Sequence, residues 1–144
     1  MPVQLPVALH VFLVKDGKVL LLKRQNTGIY DGQWSVPAGR LDAGESATSG
    51  AVREAFEEVG VRISKDDLSD PLVMHHRNEK GERLHFFFKT AKWEGEPVNC
   101  EPEKCSAIGW YDTNDSSVEI LPHVRKALGL MDSPTRYCEY GFDR

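Results

Sequence analysis

An α/β fold, two helices enclosing a mixed β-sheet, is predicted by three features of the sequence. Apolar runs rich in leucine or β-branched residues recur along the chain, separated by turn residues. One segment, residues 46–60, carries a helical period instead. A second helical segment, residues 121–128, closes the series. Strands, helix, strands and helix in that order read as an α/β/α sandwich, and 144 residues suit a single domain spanning 1–144.

The elements follow in chain order. Residues 7–14 and 19–24 flank Asp16-Gly17, a strong hairpin signal, and both runs look like central strands. Lys23 and Arg24 close the second strand, either as a solvated end or as a contact for an anionic group; the planar guanidinium of Arg24 is the better fork for phosphate. Residues 25–32 form a loop, 33–36 a short strand with Trp34 as core or pocket wall, and 37–39 a turn. Residues 61–63 are a candidate strand and 64–71 a polar connection. Residues 72–77 and 83–93 read as paired strands joined by a turn at 78–82. Phe86, Phe87 and Phe88 are consecutive, so alternate rings face opposite sides of the sheet, with two expected in core and one reaching a ligand. His75 and His76 also fall on opposite faces and read as hydrogen-bonded groups rather than ligands. Residues 107–111 form a last apolar strand. Pro122 suits the first turn of the closing helix, whose Val124 and Leu128 are spaced to pack on a sheet. The tail, 131–144, carries Tyr137, Tyr140 and Phe142. It is too aromatic for a disordered end and is expected to pack on the domain or on a second subunit, as in a homodimer.

Composition narrows the function. A net charge of −4 argues against a general nucleic-acid binder, though not against a small phosphorylated ligand. Cys100, Cys105 and Cys138 lack the paired spacing of a zinc site, and a reduced, cytoplasmic protein accounts for them. The N-terminal apolar run is too short to span a membrane and has no basic segment before it.

The chemistry concentrates in residues 39–61. Glu54, Glu57 and Glu58 share one helical face, with Val52, Phe56 and Val59 expected on the opposite face and Ala55 at its edge. Ser46 is the candidate N-cap and Gly60 the candidate C′ residue. Like charges three and four apart repel by roughly 0.2–0.5 kcal/mol per pair, and the helix C-terminus further disfavours anions. A solvated charged face would intersperse lysine, but the only cation here is Arg53. A hard divalent cation would turn that repulsion into ligation.

Gly39, five residues, Glu45, seven residues, then Arg53-Glu54-Ala55-Phe56-Glu57-Glu58-Val59-Gly60-Val61 fills every fixed position of a known pattern. It resembles the Nudix (MutT-type) box, which spans 39–61. The resemblance implies a Nudix-like sandwich around a central mixed sheet, and hydrolysis of a diphosphate linkage with Mg²⁺ or Mn²⁺. A nucleoside triphosphate would give the monophosphate and pyrophosphate; a nucleoside diphosphate derivative would give the monophosphate and a phosphorylated product. It implies metal ligands at the Gly39 carbonyl, Glu54, Glu57 and Glu58. Trp93-Glu94-Gly95-Glu96-Pro97 followed by Glu101 resembles members that add a carboxylate from outside the box; Glu103 is the nearby competitor. Glu54 is the first choice for the base by resemblance, with Glu57 or Glu101 as alternatives, while Arg53 and Glu45 brace loop against helix. Arg24 is expected on phosphate, and Tyr30, Trp34, Phe86 or Phe88 on a base or other flat group. MutT-like members that recognise oxidised guanine carry an asparagine before the closing helix; the nearest residue here is Ile120, a departure that puts this selectivity in doubt. Two other readings stand beside this one: a non-nucleotide diphosphate such as a prenyl or pterin ester as substrate, and a catalytically silent nucleotide-binding regulatory domain. The second would be signalled by lost box carboxylates, and none is lost.

Overall fold

A computed structural model describes residues 1–142. Its elements are β1 (Val7–Lys15), β2 (Lys18–Arg24), β3 (Trp34–Ser35), β4 (Ala38–Arg40), α1 (Ala47–Val59), β5 (Leu72–Asn78), β6 (Gly81–Thr90), β7 (Cys105–Asp112), α2 (Pro122–Leu130) and β8 (Tyr137–Tyr140). The strand order is β3-β2-β1-β6-β5-β8, with β4 also on β1 and β7 also on β2. β1–β6 and β5–β8 are parallel and the other pairs antiparallel, so the sheet is mixed as predicted.

Alternation along β1 builds two cores. Val11 and Leu13 face the side packed by Ala51, Ala55 and Val59 of α1, together with Leu20, Leu22 and Phe88. Phe12 faces the other way, into a core with Phe87, Met74, Leu72 and the α2 residues Val124 and Ala127. Phe12 and Phe87 are fully buried with their rings stacked 5.7 Å apart, each burial stabilising the fold by about 1.5–3 kcal/mol. The hairpin closes through the two residues Asp16 and Gly17, both at positive φ as a type I′ turn requires.

β1 is shared between partners, and this positions the site. Only its last two residues pair with β2; its first half pairs with β4, placing Leu9 opposite Gly39. The box glycine therefore sits in the sheet, directly beneath α1.

Several sequence expectations are corrected. α1 does not bury a Val52–Phe56–Val59 stripe. Its buried residues are Gly50, Ala51, Glu54, Ala55 and Val59, and Phe56 is exposed with the Arg62 guanidinium 5.2 Å from its ring. Small side chains let the helix approach the sheet closely, and the stripe they form carries Glu54 inward. Residues 61–63 are not a strand: Arg62 makes one isolated bridge to Glu94, while Val61 and Ile63 fill the core under α1. The turn between β5 and β6 is tighter than 78–82, because Asn78 pairs with Gly81 and the loop is Glu79-Lys80. The tail packs on the domain, β8 covering the edge of β5 and Phe142 lying 4.5 Å from His75. Residues 143 and 144, the end of that tail, lie outside the described residues.

Candidate functional site

α1 starts and stops where local chemistry dictates. Ser46 Oγ accepts from the Ser49 amide at 3.1 Å, and Gly60, at φ 75°, donates its amide to the Phe56 carbonyl at 2.9 Å. Packing of Ala51, Ala55 and Val59 then sets the helix phase, which turns Glu54 and Glu58 toward β4.

The contact with β4 is intimate. A Cβ added to Gly39 would lie 2.1 Å from the Glu54 carboxyl carbon, so the carboxylate occupies the space a side chain would need. The Ala38 amide donates to Glu58 Oε1 at 3.2 Å. Glu101 joins from the connection before β7, where its carbonyl accepts from the Lys104 and Cys105 amides and its own amide donates to Asn99 Oδ1. Asn99 in turn donates to the Cys105 carbonyl at 2.7 Å. Glu54, Glu57, Glu58, Glu101 and Gly39 line a cleft of about 530 Å³, which Lys23, Arg24 and Lys104 also line.

Electrostatics divides these acids. Burial, then the neighbouring Glu54 and Glu101 charges, push the Glu58 carboxyl up to about 9, so near neutrality it holds its proton. Burial also raises Glu54, outweighing the charge-assisted hydrogen bond from Arg53. Glu45 is the opposite case: hydrogen bonds from Arg53 hold it down at about 2.

Arg53 organises the other flank. Its Nε and Nη2 grip Glu45 at 3.1 and 2.6 Å, Nη2 also reaches the Arg40 carbonyl, and Nη1 donates to Glu54 at 2.7 Å and Glu57 at 3.0 Å. Five donors in a fixed fork thus tie the loop before α1 to two of its glutamates.

Of the residues singled out in the sequence, Gly39, Glu54, Glu57, Glu58, Glu101 and Arg24 come together in this cleft, with Arg53 beside it. Arg24 is also committed to its own loop, donating to the Ile29 carbonyl and Thr27 Oγ1. The aromatic candidates are not brought to the cleft. Phe88 is buried in the α1-side core with Phe86 packed against it, while Tyr30 and Trp34 pack on the α2-side core, Trp34 beneath the Lys23 ammonium. Sheet parity decides this: Phe86 and Phe88 point under the helix, and Phe87 points away from it. Sequence reasoning missed Asn99 and Lys104, which surround Glu101; the polar run from Asn99 to Cys105 was the available signal. It also missed a buried group of histidines on the opposite face. A larger cavity, about 860 Å³, lies between the β1–β2 hairpin and the C-terminal half of α2, and its lining carries two acids, Asp16 and Asp132, against four in the cleft.

Among the described residues the cysteines are free, and no helix is long and apolar enough to cross a membrane. The profile of one family, described as the NUDIX domain, matches residues 4–129. A Bacillus subtilis protein named "Putative 8-oxo-dGTP diphosphatase" is 35% identical over 121 residues, covering 84% of this chain and 75% of that protein. An RNA pyrophosphohydrolase of Sphingopyxis alaskensis is 28% identical over 127 residues, covering 77% and 79%. Among solved structures, a MutT NUDIX hydrolase from Burkholderia pseudomallei superposes with a TM-score of 0.79 at 27% identity, covering 89% of this chain and 98% of that one.

Proposed function

The chain belongs to the Nudix family, hydrolases of phosphorus-containing acid anhydrides, and from that premise we propose that it cleaves the diphosphate linkage of a nucleoside triphosphate or nucleoside diphosphate derivative. The products are a nucleoside monophosphate and pyrophosphate, or a monophosphate and a second phosphorylated fragment. Two relatives whose names concern nucleotide anhydrides, one of them a nucleoside triphosphate, favour a nucleotide over a prenyl or pterin ester. A net charge of −4 favours a small nucleotide over RNA.

The observation that carries this reading is the acid pair of buried Glu54 and half-buried Glu58. Desolvated carboxyls this close are costly unless protonated or neutralised, and the adjoining glycine backbone leaves them unobstructed. All the donors are hard oxygens, the set that suits Mg²⁺ or Mn²⁺. Glu54, Glu57 and Glu58, aided by the Gly39 carbonyl and Glu101, are the residues to hold such an ion. When bound there it screens phosphate charge and makes water a stronger nucleophile.

The chain's own groups do the rest. Arg53 fixes the Glu54 and Glu57 carboxylates in register, so little reorganisation is needed during reaction. Glu54, close against Gly39, accepts the proton of the attacking water, a role typically contributing 10²–10⁴-fold. Lys23, Arg24 and Lys104 line the same cleft and meet the phosphates opposite the acids. Nucleoside di- and triphosphates, dinucleotides and nucleotide sugars, assayed with Mg²⁺ for released phosphate or pyrophosphate, test the proposal. Inactivity on every nucleotide would overturn it.

A further inference from the structure

The sheet face opposite α1 carries a second concentration of chemistry, remote in sequence from the Nudix box. His10 of β1, His76 of β5, His85 of β6 and His123 in the first turn of α2 are all buried, with at most 7% of their surface exposed. β1, β5 and β6 are neighbours in the sheet, and each turns its histidine toward α2. His85 sits at the centre. Its Nδ1 lies 2.8 Å from His10 Nε2 and its Nε2 lies 3.1 Å from His76 Nδ1. His123 stacks over both His85 and His76, with ring centroids 4.7 and 4.9 Å away.

A hydrogen-bonded core accounts for only part of this arrangement. The His10–His85–His76 chain satisfies both nitrogens of His85 but leaves His10 Nδ1 buried with no partner. Leaving a buried polar atom unpaired is costly. One nitrogen from each of His10, His85 and His123 lies within 4.8 Å of the others.

We propose that His10, His85 and His123 form a transition-metal site, separate from the carboxylate cleft, for Zn²⁺ or a similar imidazole-seeking divalent ion, with His76 orienting His85. Nitrogen donors select against Mg²⁺ and Mn²⁺, which favour oxygen, so the two sites discriminate between ions. Zinc holds imidazole nitrogens at about 2.0–2.1 Å, a spacing that nitrogens already within 4.8 Å of one another approach closely. Arg83 lies near enough to lower the proton affinity of all four rings. Its charge opposes a cation there, so the affinity must come from the imidazole donors. Bound metal would pin the start of α2 to two sheet strands.

Cobalt absorption on the full chain tests this. Protein stripped with chelator, then given excess Mg²⁺ to fill the carboxylate cleft, is titrated with Co²⁺. The expected result is one equivalent bound with the visible absorption of tetrahedral cobalt, abolished by Zn²⁺. His123→Gln and His10→Gln should each weaken binding at least about tenfold, while Glu58→Gln leaves it unchanged. Far-ultraviolet circular dichroism checks that each variant folds; should one fail, the other variant and the wild-type titration still decide. Absence of visible absorption in the wild type would refute the site. So would a signal that survives both histidine variants or disappears in Glu58→Gln. A sulfur-to-cobalt charge-transfer band would place the ion on a cysteine and also refute it. Because Mg²⁺-dependent hydrolysis is not the readout, failure here leaves the proposed activity untouched, and the reverse holds.

Discussion

The Glu54 carboxyl carbon stands 2.1 Å from where a Gly39 Cβ would be. Neither residue explains the other locally. Gly39 does not take a positive φ, so a side chain is excluded by the facing carboxylate and not by conformation. The Gly39→Ala variant should push Glu54 out of line and cost about 1–3 kcal/mol as overpacking. Turnover should fall by at least about tenfold, because misplacing a reacting group is expensive. Urea unfolding and kcat/KM check the two halves; wild-type kcat/KM would remove Glu54 from the proposed role.

Glu58 links hydrolysis to stability. Its folded pKa, about 9, is raised from 4.5, so its stabilising contribution is complete below about 4.5 and is lost as pH rises through about 9. Metal-free wild type should therefore lose stability across that window, and Glu58→Gln, which has no proton to lose, should show a flatter profile. Added Mg²⁺ should raise the wild-type Tm increasingly as pH rises, by mass action on the deprotonated pair. The same substitution should reduce Mg²⁺-dependent turnover about a hundredfold or more, on the scale of a lost catalytic group. Calorimetric scans at several pH values with and without Mg²⁺ provide the readout.

The corrected helix phase separates two neighbours. Phe56→Ala, at an exposed position, should change stability by no more than about 0.5 kcal/mol. Ala55→Leu, at a fully buried position against the sheet, should destabilise by about 1–3 kcal/mol. Denaturant midpoints for the pair decide the phase. Equal costs would mean that α1 presents a different stripe.

The histidine group should make the chelator-treated protein sensitive to acid. Burial lowers His10, His85 and His123, the last to about 3, while unfolded histidine titrates near 6.5. The unfolded state therefore takes up protons first, and stability should be full above about 6.5 and fall as pH drops toward about 3. The charged groups near His123, namely His76 of β5, Arg83 of β6 and Arg24 of β2, act in the same direction, while His85 of β6 stacks on it and Tyr140 of β8 packs on His76. His123→Gln should shallow this loss. Equal acid slopes in variant and wild type would contradict the burial argument.

Much of this architecture is legible in one dimension because the forces that set it act locally. Asp16-Gly17 names its turn, Ser46 and Gly60 name the limits of α1, and the alternation in β1 names a strand with two covered faces. The box acids are legible for a similar reason: residues three and four apart on a helix are neighbours wherever that helix packs. The Phe56 error shows where this reasoning stops. Apolar character alone suggested that the largest ring was buried, but the close approach of α1 to β4 admits only glycine, alanine and valine beside the two glutamates.

The order of residues thus determined the family, the strand and helix succession, and which carboxylates gather on one helical face. Tertiary structure alone decided that Gly39 and Glu54 share a single volume, and that His10, His85 and His123 meet at the heart of the α2 layer. Those pairings span up to 113 residues, and no local periodicity encodes them. They arise from the strand order β1-β6-β5 and from α2 docking across it, where burial excludes water and leaves each polar atom only its neighbours for partners.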